Sequence, residues 1–240
     1  MNENIQCIVY QMLATSYTDT ETTHEIGVDE AGRGPLFGRV YAAAVILPKT
    51  TDTNVFDFSR MKDSKKFTSK KKIIEAAIYI KENATSWAVA FEDEDTIDSI
   101  NILQATQSAM HKAIRACRDK IVDSTPDHDY YLLVDGNYFN NYIRYDKEKQ
   151  QITSIPHMCV KGGDNTYACI AAASILAKTE RDAYIEELCD EHPYLDEYYS
   201  IRGNKGYGAK QHMLGINTHG ITKWHRQSFA PCKEQKLFNC

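Results

Sequence analysis

The stretch Ile26-Gly27-Val28-Asp29-Glu30-Ala31-Gly32-Arg33-Gly34-Pro35 sets two adjacent carboxylates at the end of a short apolar run, with a Gly-Arg-Gly turn directly after them. Paired carboxylates suit a hard divalent cation, which takes oxygen ligands. Glycine-rich turns expose backbone N–H groups, and a concave set of N–H groups binds anions such as phosphate. Metal and phosphate handling this close together points to phosphodiester chemistry.

Working outward, the apolar run His24 to Asp29 reads as a first strand. Val40 to Leu47, rich in Val, Ile, Tyr and Ala and stopped by Pro48, reads as a second. Ser86 to Phe91 gives a third, and Tyr130 to Val134 is a buried strand that ends in the turn Asp135-Gly136-Asn137. If the first strand and Tyr130–Val134 are parallel neighbours, Asp29, Glu30 and Asp135 come together at their C-terminal ends. Ligands of open α/β sheets bind at that end. Neighbouring strands lie ~4.8 Å apart, so acids on both can share one cation.

Helices fill the rest. One runs to Lys81, starting at Asp63-Ser64 or at Thr68-Ser69. A second spans Thr96 to about Lys120, with Ile97, Ile100, Met110 and Ile114 at helical spacing. A third covers Asn165 to Asp190, where Ala171-Ala172-Ala173-Ser174 allows close packing. Thr153 to Val160 is a further strand, and residues 191–240 give shorter helices and loops. Strand–helix alternation of this kind predicts an α/β fold, a mixed sheet covered by helices. A fourth acid is expected from the third helix region. Asp164 and Asp182 are eighteen residues apart, five turns of a continuous helix and ~27 Å, so only one of them can reach the site.

Composition sets the bounds. The chain has 240 residues, 42% hydrophobic and 25% charged, enough for one sizeable core. No apolar run approaches the ~20 residues of a membrane span, and Met1-Asn2-Glu3-Asn4 does not open a signal peptide. An intracellular protein is expected, cytoplasmic or, in a eukaryote, nuclear. The seven cysteines form no Cys-x-x-Cys pair, which argues against zinc and for reduced thiols. The net charge of −5 is not that of a basic nucleic-acid binder, but Lys62, Lys65, Lys66, Lys70, Lys71 and Lys72 cluster locally.

Seven segments, in order, resemble the type 2 ribonuclease H (ribonuclease HII) family. They are Gly27–Leu36, Asp63-Ser64-Lys65-Lys66, Ile100–Thr106, Val134-Asp135-Gly136-Asn137, Ile170–Asp182, Asn204-Lys205-Gly206-Tyr207-Gly208 and His225-Arg226-Gln227-Ser228-Phe229. The resemblance covers about residues 24–230 and implies an RNase H-like fold, with a mixed central sheet flanked by helices and a C-terminal helical segment. It divides the chain into an N-terminal extension (1–23), a catalytic domain (24–230) and a C-terminal tail (231–240).

The resemblance also implies an endoribonuclease that hydrolyses RNA in RNA–DNA hybrids and cuts 5′ of single ribonucleotides in duplex DNA. The cofactors would be Mg2+ or Mn2+, two per site, and the ends a 5′-phosphate and a 3′-hydroxyl. By carry-over Asp29, Glu30, Asp135 and Asp182 are the metal-binding acids, Asp182 being the Asp of the Arg-Asp pair after Ala-Lys. Asp164 then caps a helix start. Gly32, Arg33 and Gly34, with Tyr207, read the ribose 2′-OH, the group that separates RNA from DNA. Lys65, Lys66 and Asn101 touch phosphates. Phe67 stands where the family usually has Leu, and Gly162-Gly163-Asp164 where it usually has Lys-Gly-Asp. Partners are hybrid and ribonucleotide-containing duplex. The chain is expected to act as a monomer, while some relatives act within a three-chain complex, and a sliding-clamp contact through Gln235-Lys236-Leu237-Phe238 stays open. Two rival readings are a type 3-like nuclease that needs several ribonucleotides and a catalytically silent hybrid-binding subunit.

Overall fold

A computed structural model describes residues 12–20, 23–121, 129–146 and 150–238. Five strands form the main sheet: β1 (Thr23–Ala31), β2 (Val40–Ile46), β3 (Ser86–Glu92), β4 (Asp129–Asp135) and β7 (His157–Val160). Their order is β3-β2-β1-β4-β7. β1 to β3 are antiparallel neighbours, and β4 lies parallel to β1 and to β7. The expected parallel pairing of the first strand with the Asp135 strand is thus present. All seven residues of β2 are buried, as a strand covered on both faces requires.

Period-2 alternation divides the core. Ala43 and Val45 pack on one face with helices α1 (Lys70–Asn83) and α3 (Ala168–Glu191). Ala42, Ala44 and Ile46 pack on the other with α2 (Glu94–Arg118). The small residues of α3 let it lie directly on β1. A Cβ at Gly27 would stand 2.2 Å from the Cys169 carbonyl carbon, so glycine is required by close approach. Three short helices follow, α4 (Tyr194–Tyr199), α5 (Ile201–Asn204) and α6 (Lys210–His219).

Of the two starts expected for the first helix, the structure takes the later one: α1 follows Ser69, and Asp63-Ser64 opens a separate 3-10 turn in which Asp63 accepts from the Lys65 N–H at 2.8 Å. Three expectations need correction. α2 is broken at Asn101, whose φ of 66° and ψ of 162° are not helical. Its side chain caps the second half by accepting from the Leu103 and Gln104 N–H groups at 3.0 and 3.1 Å. The strand expected over Thr153–Val160 is interrupted at Ile155-Pro156, because proline cannot donate to a ladder. Its first part, β6 (Gln151–Ser154), instead pairs with the unforeseen β5 (Ile143–Asp146). Finally, α3 begins at Ala168, so Asp164 precedes it and caps no helix.

Both ends of the described chain pack on the body. Ala14 bridges to Tyr167, and Tyr17 and Thr18 donate to the buried carboxylate of Glu25. Leu237 bridges to Ile221, and the Phe238 ring meets Tyr194 and Tyr198. Among the described residues no helix is long and apolar enough to cross a membrane.

Candidate active site

The β1–β4 register pairs Val28 with Val134, so the next residues, Asp29 near the end of β1 and Asp135 at the end of β4, follow side by side on parallel neighbours. Asp29 is buried and accepts from the Glu30 N–H at 2.7 Å, and the Ser174 hydroxyl of α3 favours its charged form. Ser174 in turn meets Ser64 at 3.0 Å. Burial first, then the charges of Glu30 and Asp135, push the Asp29 carboxyl well above the usual carboxylate range. Burial also raises Glu30, with Arg33 at 3.2 Å opposing and Asp135 reinforcing. Asp135 accepts from the Gly163 N–H at 2.7 Å.

Asp182 and Asp164 stand differently toward Asp29, Glu30 and Asp135. Asp182 lines the same cleft, but it lies eight residues beyond Ser174 on α3, ~12 Å at the helical rise. Its carboxylate pairs with Lys178 at 2.8 Å. Asp164 is the acid drawn to the cluster. It adjoins Gly163, which bonds Asp135, and it is raised by burial, then by Asp63 and Asp135. The ~27 Å separation assumed one helix through both residues; because α3 starts later, Asp164 sits in the 3-10 turn beside β4.

The donor set is oxygen only, the chemistry of a hard divalent cation. Like charges crowded on Asp29 are what such a cation relieves. Among the described residues no three acidic, His or Cys side chains already stand as a cage: Glu30 is turned to Arg33 and Asp135 to Gly163.

Beside the acids stands a wall built from Gly32–Gly34 and Tyr207, in the same cleft of about 360 Å³. Gly32 has φ +96°, and a Cβ there would come within 2.2 Å of Arg181. Tyr207 is 52% exposed, with its ring edge 3.4 Å from where a Gly34 Cβ would be. Two buried arginines back this wall. Arg226 donates to the carbonyls of Gly32 (2.6 Å), Arg33 (3.0 Å), Pro35 (2.8 Å) and Gly38 (2.9 Å). Arg181 donates to those of Arg39 (3.3 Å), Phe37 (3.3 Å) and Lys205 (2.9 Å). Burial, then the like charge of Arg181, lower Arg226 to about 9. With the loop carbonyls held from behind, its other polar groups are left for the cleft. The motif match singled out Arg226; its contacts, 188 to 194 residues away in sequence, carried no local signal.

The expected phosphate contacts are dispersed. Lys65 is exposed and lines the cleft. Lys66 is engaged by Asn165. Asn101 is exposed and spends its side-chain oxygen on capping α2; it does not line the cleft.

The ribonuclease HII family model matches residues 26–232, which contain Asp29, Glu30, Asp135, Asp164 and Asp182. The chain belongs to the ribonuclease HII family. It is therefore a ribonuclease H-type hydrolase. Ribonuclease HII of Bacteroides thetaiotaomicron is 44% identical over 205 residues, 85% of this chain and 88% of that protein. Among solved structures, Bst-RNase HIII in complex with Mn2+ superposes with a TM-score of 0.61 at 18% identity, covering 90% of this chain and 70% of the other. The RNase HII of the PCNA complex from Archaeoglobus fulgidus gives 0.60 at 21% identity, covering 86% and 95%. At these identities the two structures speak for the shared fold.

Proposed function

We propose that this ribonuclease H hydrolyses the RNA strand of RNA–DNA hybrids and cuts on the 5′ side of single ribonucleotides in duplex DNA. The observation that carries the reading is one cleft that joins crowded acids to a backbone wall able to approach a sugar. Asp29, Glu30, Asp135 and, in preference to Asp182, Asp164 would hold Mg2+ or Mn2+, two ions per site. Such ions, when bound, stabilise charge on the phosphate oxygens and acidify water. Gly32–Gly34 and Tyr207 would read the 2′-OH. Tyrosine can both pack on a sugar and hydrogen-bond to it. Lys65 would meet a phosphate as a point charge, and Lys66 and Asn101 would do so only after leaving Asn165 and the α2 cap.

The products would be a 5′-phosphate on the ribonucleotide and a 3′-hydroxyl on the preceding nucleotide. The corresponding roles are ribonucleotide excision and removal of primer RNA, carried out by a single intracellular chain. A relative in this family has been seen with PCNA. Here Phe238 donates its N–H to Ile221 at 2.6 Å, so a clamp contact through Gln235–Phe238 would first have to release that residue.

The test is cleavage of a DNA duplex carrying one ribonucleotide, with Mg2+, with Mn2+ and with chelator. Metal-dependent incision 5′ of the ribonucleotide is expected. Cutting only of a run of four ribonucleotides would replace this reading with type 3-like specificity, and binding without cutting of either would replace it with a hybrid-binding subunit.

A further inference from the structure

His212 and His225 are both fully buried and lie outside the acid cluster. His212 Nε2 and His225 Nε2 are 3.0 Å apart. The backbone N–H of Thr222 points at His225 Nδ1 at 2.9 Å. A backbone N–H can only donate, so His225 Nδ1 is an acceptor and a neutral His225 carries its proton on Nε2. That proton meets His212 Nε2, which must then accept. His212 is left with its proton on Nδ1, and Nδ1 lies 2.9 Å from the carbonyl oxygen of Tyr207. The three bonds run one way, from Thr222 through both rings to Tyr207. Adding a proton to either ring sets two donors face to face.

The surroundings keep the pair neutral. Phe37 and Tyr199 pack their rings against both imidazoles. Burial, then the neighbouring His212, lower His225 to about 3, and burial lowers His212.

The far end of the relay is a loop under strain. Lys205 and Gly206 both have positive φ, 53° and 82°, and the non-glycine residue pays an energetic penalty there. Three successive carbonyls of this loop are pinned: Lys205 by Arg181 at 2.9 Å, Gly206 by the Leu36 N–H at 2.8 Å, and Tyr207 by His212 at 2.9 Å from another element and by the Ala209 N–H at 2.7 Å within the loop. Half of the Tyr207 surface is exposed, so its backbone decides where the ring stands.

We propose that the His212–His225 pair is a positioning element that fixes Tyr207 against Gly34 and thereby sets discrimination in favour of an isolated ribonucleotide. This rests on the reading of Tyr207 as a 2′-OH contact. A run of ribonucleotides offers several registers and depends less on one placed ring; a single ribonucleotide offers one.

The experiment compares kcat/KM on a duplex with one ribonucleotide and on a run of four, for wild type, Tyr207→Ala, His212→Leu and His212→Asn. His212→Leu should lose about tenfold more on the single ribonucleotide than on the run, the scale of one buried hydrogen bond. His212→Asn keeps an N–H near the Nδ1 position and should recover most of that loss. If Tyr207→Ala is selective but His212→Leu lowers both substrates alike, or neither, the inference is overturned. If Tyr207→Ala itself shows no selectivity, the Tyr207 reading fails instead. Imidazole 15N NMR on the wild-type protein tests the relay independently of activity and of any variant's folding. It should show His212 protonated at Nδ1 and His225 at Nε2, unchanged down to about pH 5.5, below the ordinary histidine pKa. The same tautomer at both rings, or titration near the ordinary value, would overturn the relay.

Discussion

The wall of the cleft proposed to meet ribose and the side chains proposed to meet phosphate are built in opposite ways. The wall hangs on buried donors: seven carbonyl contacts from Arg226 and Arg181 and the His212 bond to Tyr207. The proposed phosphate contacts are exposed side chains: Lys65 at the cleft, and Lys66 and Asn101 away from its lining and already engaged within the protein. A hydroxyl must be met at hydrogen-bond distance by groups that do not move, whereas phosphate charge is felt over several ångströms of water. Rigidity is concentrated where geometry carries information.

Between the two regions lie the acids, and the largest effect belongs there. Asp135→Asn should lower kcat about a thousandfold or more, the loss of several kcal/mol of charge stabilisation, while hybrid binding, followed by fluorescence anisotropy, persists. The same assay ranks the fourth acid: Asp164→Asn should approach the Asp135 variant, and Asp182→Asn should fall well short of it. An Asp182 variant as inactive as Asp135→Asn would move the metal site along α3.

Next comes the wall itself. Arg226→Gln leaves buried carbonyls without donors at ~1–3 kcal/mol each. Its melting temperature should fall by roughly 10 °C or more in calorimetry, and the single-ribonucleotide substrate should suffer more than the run of four. Equal losses on both would mean that the arginine supports the fold without shaping recognition.

The wall also has a pH signature. His225 titrates at 6.5 when unfolded and at about 3 in the fold, so the unfolded chain binds the proton first. Its contribution is fully present above pH 6.5 and declines as pH falls toward 3, by at most ~1.4 kcal/mol per pH unit. Chemical denaturation from pH 7 to 5 should show this slope, and His225→Gln should flatten it.

The smallest effect is at the proposed phosphate contacts. Lys65→Ala should weaken binding of all substrates alike by a few-fold and shallow the salt dependence by about one phosphate contact. A substrate-selective loss there would erase the contrast between the wall and these contacts.

Much of this arrangement was legible from local pattern. Acids that end apolar runs, and the small-residue stripe of α3, rest on periods of two and 3.6 that survive in the fold. Three features were not legible, each for its own reason. The placement of Asp164 relative to Asp182 depends on where α3 begins, and no strong cap marks Ala168: the N-cap position is Tyr167, whose side chain makes no capping bond. The break at Asn101 was hidden because apolar spacing continues on both sides of it. The β5–β6 hairpin is only four residues a side, too short a run for its Ile143–Tyr145 alternation to stand out, and with Ile143, Tyr145 and Ile152 all exposed no core demands it. The donors behind the wall lie farther off still, since nothing near Gly32 in sequence announces a guanidinium 194 residues away.

That separation has a consequence for how the enzyme comes into being. Every acid proposed for the metals is translated by residue 164, but the guanidinium that braces Gly32 arrives at residue 226. On the proposed reading, a nascent chain would hold its acids before it holds the brace behind the loop proposed to meet ribose. Tying Gly32 to Arg226 would make selective cleavage wait until residue 226 has been translated.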